Sequence, residues 1–281
     1  MSSPIGIQTN VSSLMVHRQL SVTSRDLQRS VGRLSSGLRI MSAADDAAGI
    51  AVSQGLEATI RSIQQAQRNA NDGVAMIQTT EGAYQTLADM LVRMRELAIQ
   101  AANDTLTDDE RGFLDTEYQL LLEEIERVSA VTEYNGILLL DGSAGDGLGN
   151  ITLQVGARNT VDDRLAISLP QQSPIALGVA FSTVESMESA QFALDAIDFA
   201  LDNLNTDRAS LGANLNRLQE AIENLGVSIE NLSDAQSRIR DSDIAVESSR
   251  FAGEQVLMQA GVAMLAQSNR IPDLALQLLN R

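Results

Sequence analysis

The sequence predicts a mostly α protein: a long antiparallel helical rod, a coiled-coil-like bundle, with a small β-hairpin region and a pair of terminal helices. Three observations carry this. Two segments repeat apolar residues near a 3.5-residue period over roughly forty residues each. Aromatic residues are 3% of the chain, so Leu, Ile, Val, Ala and Met supply nearly all of its 44% hydrophobic content, the palette of long helices rather than sheets. Turn chemistry is concentrated in one central stretch instead of recurring every few residues.

In chain order, residues 5–40 present Ile7, Val11, Leu14, Leu20, Leu27, Val31, Leu34 and Leu38, an amphipathic stripe with gaps. From Leu56 to Ala101 a 4,3-type walk lands on Leu56, Ile60, Ile63, Ala70, Val74, Ile77, Tyr84, Leu87, Leu91, Met94, Ala98 and Ala101, broken by Gln67 and Glu81. This is one long helix. Met90 and Met94 fill its seam. Asp108 to Glu133 carries Phe113, Leu114, Tyr118, Leu121, Leu122, Ile125 and Val128 at helical spacing. The acidic TLTDDE suits a helix N-terminus, so a return helix antiparallel to the first follows.

The period then changes. Asn135-Gly136 signals a tight turn, 141–150 is a Gly-rich loop, and Ile151, Leu153 and Val155 alternate, which predicts one small hairpin at about 134–170. Two prolines and several serines make 170–190 a connection. A second walk touches Ile197, Ala200, Leu204, Leu211, Leu215, Leu218, Ile222, Leu225, Ile229, Leu232 and Ile239, with breaks at Arg208 and Gln236. At 1.5 Å per residue each long helix reaches about 60–70 Å. Residues 244–279 form a last stripe through Ile244, Phe251, Val256, Leu257, Val262, Leu265, Ile271, Leu274 and Leu278. The two end stripes can cover only each other, and a two-helix pair buries too little to offset its ordering entropy. They call for neighbours from other molecules, and in the free monomer they are expected to be disordered.

Composition excludes most chemistry. Twenty basic residues, all arginine, stand against 37 acidic ones for a net charge of −17, the wrong sign for a nucleic-acid partner. With no cysteine, no lysine and a single histidine, His17, neither a thiol nucleophile nor a zinc site nor a Ser-His pair can be assembled, so no enzyme, cofactor or metal is expected. Asp45-Asp46 and Asp108-Asp109-Glu110 read as caps and solvated faces rather than catalytic carboxylates. Sequons at Asn10, Asn103, Asn150 and Asn231 are short enough to arise by chance. No run approaches the length of a membrane span, and the first twenty residues lack a leader's basic and apolar regions, so no membrane insertion is expected.

The segment GLRIMSAADDAAGIAVSQGLEATIRSIQQAQRNANDGVAMIQTTEGA, residues 37–83, resembles bacterial flagellin. So do IQTNVSSLMVHRQL near the start, LVRMRELAIQAAN at 91–103, ERVSAVTEYNG at 126–136 and SRFAGEQVLMQAGVAMLAQSNRIPDLALQLL at 249–279. Several long motifs in order at both ends make the likeness specific, and it covers nearly the whole chain. Met41, the Ile271-Pro272-Asp273 ending and the absence of lysine depart from the family pattern. The chain looks like a short form without the large variable outer domains that many flagellins carry between their halves.

The resemblance implies a filament subunit for swimming motility. Residues 1–43 and 240–281 would form a discontinuous inner domain of terminal helices, and 44–239 a rod domain. Polymerisation would rest on the terminal helices, with Leu14, Leu27, Leu34, Phe251, Leu257, Leu265 and Leu274 as contact residues. It further implies export without a cleaved signal peptide to the extracellular flagellum. A flagellar export chaperone would mask Phe251 to Leu279, and filament cap and hook-junction proteins would be partners. In many flagellins the stretch matching Val92–Gln100 is read by Toll-like receptor 5 of a host, and by alignment Arg93, Leu97 and Glu117 take its contact positions. The alternative is that Leu97 packs a helix pair while Arg93 and Glu117 bridge helices or subunits. The hairpin near 140–168 is the candidate for switching between subunit packings. The competing functions are a hook–filament junction protein and, from another class, a soluble coiled-coil tether.

Overall fold

The two apolar walks become two helices of 55 and 54 residues, α2 (Ala47–Ala101) and α6 (Met187–Arg240). The computed structural model describes residues 9–279, with side chains described through Arg270. Around these run α1 (Val11–Ser36), α3 (Asp108–Val131), β1 (Glu133–Tyr134), β2 (Ile137–Leu138), the single turn α4 (Ala144–Gly147), β3 (Asn150–Gln154), β4 (Arg164–Ser168), the short α5 (Pro174–Leu177) and α7 (Ile244–Leu279). The chain divides into two compact units: residues 1–58 with 232–281, and residues 59–231. The sequence boundary at 43/44 lies in the connector before α2 and that at 239/240 in the last turn of α6, whereas the units divide further inside α2 and α6. The early turns of α2 are tied to the end of α6 and the connector before α2, which draws them into the terminal unit.

In the unit 59–231 the seams meet as spaced. Ile77, Tyr84, Leu87, Leu91, Met94, Ala98 and Ala101 of α2 are buried, as are Ile197, Ala200, Leu204, Leu211 and Leu218 of α6. The polar breaks answer each other across the seam: Arg208 pairs with Glu81 at 2.7 Å and donates to Gln85 at 2.9 Å. With Arg95 to Asp198 at 2.7 Å, these contacts run α6 antiparallel to α2. Matched polar groups in an apolar seam disfavour slipped registers, where each would face an apolar partner.

Helix α3 begins with a capping box between Thr107 and Glu110. It buries Tyr118, Leu122, Ile125 and Val128, but Phe113, placed on the same stripe by the sequence, is 77% exposed. The inward positions of that first turn are Arg111 and Asp115, and Phe113 lies about 200° round the helix from each. Buried Arg111 closes the α2–α3 turn by donating to the carbonyls of Ala101 at 2.9 Å and Asn103 at 3.1 Å. The Ala101 carbonyl has no amide donor further along the helix, while that of Asn103 also accepts from the Leu106 amide at 3.3 Å.

The expected single hairpin is two. Asn135 and Gly136 take positive φ of 51° and 77°, joining β1 to β2 in a two-residue turn. The second, β3–β4, pairs Asn150 with Ser168 through Gln154 with Arg164. Strands of two residues are too short to show alternation, which is why 133–138 read only as a turn. Leu165 and Ile167 point inward, and Leu153 seats against α2 at Gly73, where an added Cβ would lie 2.2 Å from Leu153 Cδ1. The 170–186 connection is pinned to its neighbours. Gln172 donates to Asp207 at 2.7 Å and reaches the Tyr84 hydroxyl at 3.3 Å, and the Val184 amide donates to Asp115 at 2.8 Å.

In the terminal unit α1 and α7 pair antiparallel. Asn10 caps α1 by accepting from Ser13 and donates to the Ser268 carbonyl at 2.9 Å; at the other end Arg33 lies 3.9 Å from Glu247. Both end segments are therefore helical in this structure, where the sequence expects disorder of the free monomer. Arg39 donates to the carbonyls of Arg238 and Ile239 at the end of α6, doing there what Arg111 does for α2.

Candidate functional site

The α1–α7 pair is inverted relative to a core. Among its described side chains the buried ones are Thr23, Ser30, Glu247 and Ser268, all polar. Leu14, Met15, Val256, Leu257 and Met264 each leave more than half of their surface exposed. Leu27, Leu34, Phe251 and Leu265 are partly buried, and Leu274 lies outside the described side chains. The helices approach closely where Gly261 admits Leu20: an added Cβ there would sit 2.5 Å from Leu20 Cδ1. Beside it Val16, Leu20, Leu257 and Met264 line an apolar groove of about 230 Å³.

Buried polar atoms without a hydrogen-bond partner collect in the same unit. Among the described residues they include Arg33 Nε, Ser53 Oγ, Arg240 Nε, Glu247 Oε1, Glu254 Oε2 and Ser268 Oγ, against Gln172 Oε1 in the other unit. An unpaired buried polar atom costs about 1–3 kcal/mol. About ten large apolar residues half exposed on α1 and α7 correspond to a gross gain on the order of 10 kcal/mol if covered. Both terms favour a neighbour on this surface.

The three positions that the resemblance would assign to a receptor, Arg93, Leu97 and Glu117, are placed differently from one another. Arg93 and Glu117 form an exposed ion pair at 2.7 Å across α2 and α3, with Glu96 a second partner at 2.9 Å. Its hydrogen bond to the Glu117 carboxylate, then that to Glu96, raises the Arg93 pKa above its ordinary value. Leu97 is 1% exposed and packs in the core beneath them. Apolar residues do reach the surface nearby: Val92 and Ile99 on α2, Phe113 and Leu120 on α3.

The sequence reading passed over two features. Arg33 and Glu247 sit inside the terminal pair, where a stripe count sees only apolar positions. Phe181, Phe192 and Phe199 are 93%, 67% and 61% exposed. A signal for the last two was present, since 192 and 199 are seven apart and off the 197/200/204 seam.

The surface grooves are open and mostly apolar or amide-lined. No group of three or more His, Asp or Glu side chains is disposed to hold a metal among the described residues, and no helix there is long and apolar enough to cross a membrane.

Comparison with known proteins meets this geometry. Residues 7–145 match the model of the bacterial flagellin N-terminal helical region and 194–279 that of the C-terminal helical region. A flagellin of Halalkalibacterium halodurans is 42% identical over 273 residues, 97% of this chain and 99% of that one. A flagellar filament core protein of Brachyspira hyodysenteriae is 36% identical over 284 residues, again 97% and 99% of the two chains. The crystal structure of Bacillus cereus flagellin superposes with a TM-score of 0.50 at 28% identity, covering 56% of this chain and 88% of that one. The alignments with the first two span nearly the whole of both chains, and the chain belongs to the bacterial flagellins.

Proposed function

We infer that this chain is the repeating structural subunit of a bacterial flagellar filament, and that α1 and α7 are the elements through which copies hold one another. The observation that carries this is the terminal pair itself, polar inside and apolar outside, with unsatisfied polar atoms collected in its unit. Burial of those apolar faces against neighbouring copies supplies the driving force, and contacts that do not close on themselves extend without limit. The relatives named as flagellin and as filament core protein favour the filament over the hook junction. The role is structural and not enzymatic, in keeping with a chain whose one histidine, His17, is exposed on α1.

Several partners follow as parts of the same proposal. The subunit is exported to the extracellular flagellum, an export chaperone covers the α7 face from Phe251 onward, and cap and hook-junction proteins bound the polymer. Toll-like receptor 5 would meet the exposed Arg93 and Glu117, with Leu97 supporting them from below. The β3–β4 hairpin and the loop before it act as the switching element; unchanged filament waveform across pH and salt after deletion of residues 142–149 would count against that.

The test of the main reading is truncation. Removal of the first and last forty residues is expected to abolish polymerisation while leaving the helical content and melting of the unit 59–231 in place. Filaments formed by the truncated chain would refute it. Hydrogen exchange on the dilute monomer provides the second arm: amides of α1 and α7 should exchange quickly in the monomer and slowly in the filament.

A further inference from the structure

In four places an asparagine or aspartate is followed by glycine: Asn135-Gly136, the only such asparagine, and Asp72-Gly73, Asp141-Gly142 and Asp146-Gly147. This is the arrangement in which the next amide nitrogen, with no Cβ beside it, can attack the side-chain carbonyl carbon with least hindrance. The sequence presents all four as candidates, and the structure separates them.

The three aspartates are held. Gly73 lies inside α2, where its amide is committed to the helical ladder. Asp141 accepts at one oxygen from the amide and the hydroxyl of Ser143, at 2.9 and 2.8 Å. Asp146 accepts from the Asn150 side chain at 3.1 Å and from the amides of Leu148 at 2.9 Å and Asn150 at 3.1 Å. These bonds, that from the Asn150 side chain foremost, hold the Asp146 carboxyl below its ordinary pKa, and an ionised carboxylate resists nucleophilic attack. Asparagines elsewhere are tied as well: Asn10 caps α1, Asn69 accepts from Gln65 and donates to the Gln154 carbonyl, and Asn71 donates to the Gln67 carbonyl.

Asn135 is not tied. Residues 135 and 136 are both exposed, and neither the Asn135 side chain nor the Gly136 amide makes a hydrogen bond among the described residues. Apart from its chain neighbours, no heavy atom among the described residues lies within 4 Å of where a Cβ on Gly136 would sit. Nucleophile and electrophile are therefore adjacent, unbonded and open to water. Just two register pairs anchor the turn, Glu133 with Leu138 and Tyr134 with Ile137. So short a pairing opens at little cost, which lets Asn135 leave its φ of 51° and bring Cγ to the Gly136 nitrogen.

We propose that Asn135 is a site of spontaneous deamidation, and that the fold confines this chemistry to the β1–β2 turn. Hydroxide takes the Gly136 amide proton, the nitrogen bonds to Asn135 Cγ, the Cγ–Nδ2 bond breaks, and the side-chain nitrogen leaves as ammonia. Water then opens the imide. Addition at Cγ gives aspartate, and addition at the main-chain carbonyl gives isoaspartate, in which the backbone runs through the side chain. Either product places a new negative charge near exposed Glu133 on a chain already at −17. Isoaspartate also lengthens the turn by a methylene, which a two-residue connection does not accommodate. The disturbance stops at buried Leu139 and Leu140, since the Leu140 carbonyl accepts from Ser129 and from the Gln172 amide.

The test ages the folded full-length chain in mildly alkaline buffer beside a sample held in denaturant. Peptide mass spectrometry reads amide-to-acid conversion, and protein-isoaspartate methyltransferase labels the isoaspartate. In the folded chain Asn135 should convert at least about tenfold faster than any other asparagine, with Asp141 and Asp146 unlabelled; in denaturant both should become labelled. Asn135→Gln should remove the methyl label from the folded chain, and hydrogen exchange on the aged protein should quicken at 133–138 but not at 139–140. An Asn135 that stays intact in the folded chain while converting in denaturant would overturn the proposal, as would label spread over the Asp-Gly pairs of the folded chain.

Discussion

Replacing Arg111 with alanine isolates the energetics of one buried cap. The guanidinium is 6% exposed and donates to two carbonyls at the end of α2, those of Ala101 and Asn103, and to Asp108 at 2.8 Å. The Asp108 side chain is 89% exposed, so that ion pair contributes little. The cost lies mainly with the carbonyl of buried Ala101, which loses this donor at about 1–3 kcal/mol, whereas the carbonyl of exposed Asn103 keeps the Leu106 amide. Lost packing of the arginine stem adds to this, and we expect a total of about 3 kcal/mol. In a unit of this size that lowers the melting temperature by about 6–12 °C. The assay is thermal melting followed by circular dichroism, with Arg127→Ala as control. Arg127 pairs with Glu124 at 2.5 Å but is 59% exposed, and its loss should shift melting by no more than about 2 °C. Equal shifts for the two variants would refute the assignment of Arg111 as a cap. Arg111→Ala should also loosen the turn that sets the Arg93–Glu117 pair, seen as faster amide exchange at 102–107.

Other substitutions test other joints. Burial holds the Asp207 carboxyl above its ordinary pKa of 3.8, against the opposing hydrogen bond from Gln172. The folded state therefore binds this proton more tightly than the unfolded one. Its contribution to stability is full below 3.8 and fades as pH rises through the folded value, so Asp207→Asn should remove that part of the pH dependence. Parallel melting-versus-pH curves for the two proteins would contradict it. For Glu81 and Arg208, both partly exposed, a double-mutant cycle should give a coupling of no more than about 1 kcal/mol, while Arg208→Leu should leave stability nearly unchanged and relax the register; a coupling of several kcal/mol would mean the pair is a main support. Gly73→Ala gains about 1 kcal/mol of helix propensity but pushes Leu153 from its seat. Melting should move little while amides of Asn150–Ser168 exchange faster, and unchanged exchange would show that the hairpin is held elsewhere.

The long helices were legible because burial repeats at a fixed period. Every position of the two apolar walks is buried or partly buried, including the polar breaks Glu81, Arg208 and Gln236. The terminal stripes were equally visible, and much of their apolar surface is exposed in the structure. Phe113 was misplaced because a helical stripe cannot say which of its first-turn residues turns inward, and Arg111 and Asp115 took that place to serve the turn and the 182–186 segment. The β1–β2 hairpin was missed because two-residue strands carry no pattern.

What the residues alone determined is therefore everything that depends on local periodicity: helix lengths, seam faces, the Asn135-Gly136 turn and an apolar excess at both ends. What only the tertiary structure decided is pairing between groups far apart in the chain: Arg208 with Glu81, Arg39 on the end of α6, and Gln172 between Tyr84 and Asp207. Periodicity is a property of one helix and can be counted along it. A partnership is set by where two helices cross, and that geometry exists only once the chain has folded.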